Sequence, residues 1–133
     1  MLGDRIAEFT TTESGRRVLA TVGSPALEVS MTGTGQLLGH PVREFVTYES
    51  ELRPDGSLFG EGQGIGMSDK GEAYSWHGSG IGHFTEGGAV RWRGSIYFDS
   101  SADAFLRLND LVGVFELEND PQGNGKAVLY EWK

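Results

Sequence analysis

Apolar and polar residues alternate one for one over most of this chain, the period of a strand with one buried face. The clearest run is 27–38. Leu27, Val29, Met31, Gly33, Gly35 and Leu37 fall on one face, and Glu28, Ser30, Thr32, Thr34 and Gln36 on the other. Residues 42–53 repeat the pattern, with Val42, Val46, Tyr48 and Leu52 against Arg43, Thr47, Glu49, Glu51 and Arg53; Phe45 breaks it. Residues 4–22 read as one or two strands around a turn signal at Glu13-Ser14-Gly15. Further strands are expected at 58–67, 72–85 and 89–99, and a last hairpin at 111–118 and 126–132. Pro54-Asp55-Gly56, Asp69-Lys70-Gly71, Glu86-Gly87-Gly88 and the stretch 120–125 supply the turns between them. Ser100-Ser101 followed by Asp103 is a helix start, and 102–108 is the one short helix the pattern allows. Seven or eight consecutive strands joined by short loops predict an all-β fold. The expected architecture is a closed antiparallel up-and-down barrel of about eight strands formed by a single domain, 1–133. A β-sandwich is the second arrangement compatible with the pattern.

The same alternation assigns an inner face. On 89–99 Val90, Trp92, Gly94, Ile96 and Phe98 oppose Arg91, Arg93, Ser95, Tyr97 and Asp99, and burying the charged set is expensive. On 72–85 Tyr74, Trp76, Gly78, Gly80, Gly82 and Phe84 share a face, and on 58–66 Leu58 precedes Gly60, Gly62, Gly64 and Gly66. Glycines are thus expected to line the interior beside tryptophans. Each weakens a strand by roughly 0.5–1 kcal/mol, so seven in two neighbouring strands need a compensating reason. Either the missing side chains let the sheet bend and aromatics pack flat on backbone, or they leave a cavity with aromatic walls.

The run Gly78-Ser79-Gly80-Ile81-Gly82-His83-Phe84-Thr85-Glu86-Gly87-Gly88-Ala89-Val90 resembles the glycine-rich hairpin of the allene oxide cyclase and dirigent superfamily. The chain is also similar to small uncharacterised bacterial proteins of that barrel type. The resemblance implies a calycin-like eight-stranded barrel, often oligomeric, with a hydrophobic cavity open at one end. It also implies chemistry by holding a reactive intermediate in shape. It carries no catalytic residue over to a numbered position of this chain.

Composition narrows the partners. The formal charge of −8 disfavours nucleic acid and anionic membrane, which call for a basic footprint. With no cysteine there is no disulfide, thiolate metal site or thiol nucleophile. The start of the chain lacks a signal-like apolar run, and no stretch reaches spanning length, which fits a cytoplasmic protein.

Specific chemistry is sparse. The glycine pattern is no phosphate loop, because strands rather than a helix follow it. His77 and His83 lie six residues apart on one outward face, about 20 Å along a strand, too far for one metal; His40 falls in a loop. Glu49 with Glu51 and Glu116 with Glu118 have glycosidase-like spacing, but solvated strand faces explain them as well. The expected cavity wall is Tyr48, Gly64, Trp76, Gly78, Gly80, Phe84, Trp92, Phe98 and Tyr130. Tyr48 or Tyr130 would be its polar handle, no catalytic residue is assigned, and no cofactor or metal is expected. Three functions fit: a barrel that binds a small apolar molecule, a cyclase or isomerase acting by confinement, or a homo-oligomer (dimer or trimer) built on an outer face of Ile65, Met67, Ile81 and Tyr97.

Overall fold

Eight strands run in chain order, each antiparallel to the one before, and the last pairs back onto the first. The computed structural model describes residues 1–133. The strands are β1 (Leu2–Ala20), β2 (Ala26–Leu37), β3 (His40–Leu52), β4 (Leu58–Ser68), β5 (Ala73–Phe84), β6 (Val90–Asp99), β7 (Gly113–Asn119) and β8 (Asn124–Trp132). Closure removes both sheet edges and excludes the sandwich. The alternation sets the polarity of the wall. Val29, Leu37, Val42, Val46, Trp92, Ile96, Leu117 and Leu129 are buried inside, while Glu49, Glu61, Arg91, Arg93, Glu116 and Glu118 face out. No helix is long and apolar enough to cross a membrane.

Three local expectations need correction. Glu13-Ser14-Gly15 is no turn: β1 runs through it as one strand, with a register shift between Glu13 and Gly15 opposite β2. A bulge of this kind sharpens the local twist, and turn-forming residues suit it as well as they suit a turn. Arg16 pairs with Glu13 at 2.7 Å across the bulge. Phe45 does not break the pattern of β3; it holds the outward parity and is 58% exposed. The helix is a 3-10 helix over Asp103–Asp110, longer and tighter than expected, and a 3-10 turn also forms at Glu86–Gly88.

That helix closes one end of the barrel. Its entry is fixed by Ser100, whose hydroxyl donates to the Ala73 carbonyl at 2.8 Å and accepts the Ala102 N–H at 3.1 Å. Asn109 then clasps the Ser100 backbone, accepting its N–H at 2.9 Å and donating to its carbonyl at 2.8 Å. Phe105 and Leu108 become fully buried and pack with Ile6, Phe9, Leu37, Val42, Tyr74 and Phe98 as the main core. At the opposite end a smaller cluster of Leu58, Trp92 and Leu117 fills the barrel. The two-residue turn before β3 puts Leu38 at φ 50° and Gly39 at φ 81°. The left-handed residue costs about 1 kcal/mol for leucine, and Leu38 offsets it by packing against the main core.

Candidate functional site in the barrel interior

Antiparallel register brings the interior glycines against large aromatic rings. Gly64 is opposite Trp76, and Gly66 opposite Tyr74. A Cβ at Gly64 would lie 2.5 Å from the Trp76 indole, and one at Gly66 would overlap the Tyr74 ring. Trp92 rests over two such seats, 2.8 Å from a Cβ at Gly60 and 2.9 Å from one at Gly82. Phe115 also lies over Gly94, at 2.8 Å, where the backbone of Ser79 and Gly80 on β5 comes closer still. Gly60, Gly64, Gly66 and Gly82 thus seat aromatic rings, whereas at Gly35, Gly78, Gly80 and Gly94 it is the neighbouring backbone that leaves no room for a side chain.

Filling is incomplete at mid-height. A cavity of about 70 Å³ with an apolar wall remains, bordered by Val46, Tyr48, Trp76, Gly78, Gly80 and Trp92 together with Met31, Phe115 and Leu117. Tyr48 meets Trp92 edge-on, with ring centroids 5.8 Å apart at 74°. Burial pushes the Tyr48 hydroxyl up to about 12, the Glu13 charge pushes the same way, and Arg16 opposes them. Tyr48 thus stands between the cavity and the Glu13–Arg16 pair.

Of the nine expected wall residues, Tyr48, Trp76, Gly78, Gly80 and Trp92 border this cavity. Four do not. Gly64 is covered by the Trp76 ring. Phe84 sits at the end of β5 and is 57% exposed. Phe98 belongs to the main core next to the helix, tilted against Tyr74. Tyr130 has the parity opposite to the buried Leu129, so it lies on the outside of β8, half-buried. His77 and His83 are exposed, as their parity implied, and His77 stacks on Tyr97 at 5.7 Å. No group of histidine and carboxylate side chains is arranged to hold a metal.

The sequence reading passed over the interior's one acid. Glu44 lies between Val42 and Val46 on the inner face of β3 and is 7% exposed. It accepts a hydrogen bond from the Tyr74 hydroxyl at 2.5 Å and a longer one from Trp76 Nε1 at 3.3 Å. Burial pushes its carboxyl up to about 7, while the two donors pull the other way. Tyr74 is in turn pushed far above the usual phenol range by burial and by the Glu44 charge. Trp76 therefore has two roles: its ring is a wall of the cavity, and its N–H tethers it to a carboxyl poised near neutrality.

No family model matches the chain, and no curated protein does. Solved structures do share its fold. A protein of unknown function from Clostridium acetobutylicum ATCC 824 aligns with TM-score 0.84 at 13% identity, covering 96% of each chain. A conserved protein of unknown function from Rhodopseudomonas palustris gives 0.83 at 12%, covering 98% of this chain and 97% of that one. A β-barrel like protein from Acinetobacter baumannii AYE gives 0.84 at 14%, covering 100% and 96%. At such identities the likeness establishes the barrel and nothing finer.

Proposed function

We propose that this chain is a small-molecule-binding barrel that accepts a narrow apolar group between Trp76 and Trp92. The observation that supports the reading is the apolar space of about 70 Å³ left in an otherwise self-filled interior. An apolar cavity of about 150 Å³ holds a benzene. Half that volume suits a fragment of about three heavy atoms, or the tip of a longer ligand whose remainder lies over Tyr48. At a ceiling of about −1.5 kcal/mol per heavy atom, such a fragment binds with a Kd on the order of 1 mM. Kinship with the allene oxide cyclase and dirigent barrels belongs to the same proposal and rests on the 78–90 hairpin.

Bromoethane tests it, because it has the right size and its bromine quenches indole fluorescence. In a Trp132→Phe background, which removes the exposed tryptophan, quenching should saturate in the low millimolar range. Val46→Leu, which adds a methylene into the cavity, should leave only linear collisional quenching. Linear quenching in the parent sinks the proposal. Filling through Gly80 is a poor alternative, because a Cβ there comes 2.9 Å from the Arg93 carbonyl oxygen.

A further inference from the structure

The bulge in β1 turns an arginine toward the barrel interior. Glu13 is opposite Met31, but Gly15 is already opposite Ser30, and Arg16 opposite Val29. Met31 borders the cavity and Val29 is buried inside, so Glu13 and Arg16 both take the inward parity. Unbroken alternation would have aimed Gly15 and Arg17 inward instead; bulges beside functional sites commonly re-aim a side chain in this way. The same two rows continue from Met31 to Val46 and from Val29 to Tyr48. Glu13 and Arg16 therefore start two strands, about 10 Å, from Val46 and Tyr48 and project into the same interior. The cavity takes its walls from β2 to β7, and this pair flanks it on the β1 side. That side is open: β8 pairs with β1 only as far as Thr12 and Asn124, so from Gly15 onward β2 is the sole ladder partner of β1. The Arg16 side chain is 55% exposed there and Glu13 25%.

We propose that Glu13, Arg16 and Tyr48 form a polar subsite for a neutral carbonyl head group, of the carboxamide kind, on a ligand whose apolar tip fills the cavity. The subsite presupposes the apolar binding cavity proposed above and sets the class of ligand it takes. Arg16 Nε donates to Glu13 Oε2 at 2.7 Å, which leaves the two Nη groups as donors and Glu13 Oε1 as an acceptor. The Tyr48 hydroxyl, pushed up to about 12 by burial and then by Glu13, stays a donor at neutral pH. A carboxamide matches this set. Its carbonyl oxygen accepts from Arg16 and Tyr48, and its N–H donates to Glu13. The Glu13–Arg16 pair has no net charge, so a neutral head meets no repulsion. A carboxylate would use the same donors against the Glu13 charge and the −8 of the whole chain. An ammonium head would meet Arg16. Two net hydrogen bonds at a partly exposed site raise affinity roughly tenfold.

Three quenchers with one bromoethyl tip test the head group in the Trp132→Phe background: bromoethane, 3-bromopropanamide and 3-bromopropanoate. Quenching by 3-bromopropanamide should saturate with a Kd at least tenfold below that of bromoethane and at least threefold below that of 3-bromopropanoate. Arg16→Met, which keeps the aliphatic stem, and Tyr48→Phe, which keeps the ring, should each cut the advantage of the amide over bromoethane at least threefold, with circular dichroism unchanged. Saturable bromoethane with an amide that binds no tighter overturns the subsite and leaves the cavity standing. Linear quenching by bromoethane removes the cavity itself. An amide advantage undiminished in both variants, or a carboxylate tighter than the amide, also overturns the subsite.

Discussion

At position 66 the absent side chain and the buried acid are one arrangement. Tyr74 reaches Glu44 because its ring lies over the opposite glycine. Gly66→Ala should displace Tyr74, break its bond to Glu44 and cost about 3 kcal/mol of unfolding free energy. Gly15→Ala, where a Cβ meets nothing within 4 Å, should be within about 0.5 kcal/mol of the parent. Equal losses in urea denaturation of the two would contradict the seating of Tyr74. Glu44 sets a pH dependence whose sign follows from its raised pKa. Between the ordinary value of 4.5 and about 7 the folded state holds a proton that the unfolded state has released. The Glu44 contribution to stability is therefore fullest below about 4.5 and falls as pH rises to about 7, by about 3 kcal/mol at 1.36 kcal/mol per unit. Glu44→Gln, whose amide can accept from Trp76 and donate to the Tyr74 oxygen, should flatten this slope. Parallel pH–stability curves for parent and variant would show that Glu44 is not the group responsible. The parity that places Val42, Val46 and Tyr48 inside also places Glu44 inside. The sequence nevertheless hides it, because a carboxylate beside Arg43 reads as surface until Tyr74 and Trp76 are known to face it.

Among the elements, the strands were the most legible and the closures the least. Period-two alternation in β2 and β4–β6 fixes which face turns inward, since a one-residue slip would bury the charged set. It cannot say which ring covers which glycine, because that depends on register across strands. The 3-10 helix was visible from Ser100 and Asp103, yet its work as an end-plug was not, since only three-dimensional closure puts Phe105 and Leu108 over the barrel. Phe105→Ala should cost about 3–5 kcal/mol, the range for a fully buried phenylalanine. Asn109→Ala removes both bonds to the Ser100 backbone and should cost about 2 kcal/mol. If chemical denaturation shows Phe105→Ala within 1 kcal/mol of the parent, the helix is not part of the cooperative core. Glu13-Ser14-Gly15 misled for a physical reason: a bulge and a turn ask for the same residues, and only the partner strand tells them apart.

On the scale of the whole molecule, closure accounts for the polarity of the wall and for the small space within. The interior is apolar except for Thr11 and the Glu44 network, and the outer wall is least charged around Phe45, Ile65 and Met67. The shared barrel of the Clostridium, Rhodopseudomonas and Acinetobacter proteins, at 12–14% identity, shows that the architecture tolerates very different side chains. Function therefore has to be sought in what this chain puts inside, and that is a pair of tryptophans around a gap of about 70 Å³. Xenon probes such a gap without needing any knowledge of the natural ligand, since dry apolar cavities take it up. A crystal of the full chain held under xenon pressure should show one atom between Trp76 and Trp92, in contact with Val46, and Val46→Leu crystals should lack it. Xenon absent from that position in the parent, or a chain of ordered water there instead, would contradict an apolar binding cavity at the centre of this barrel.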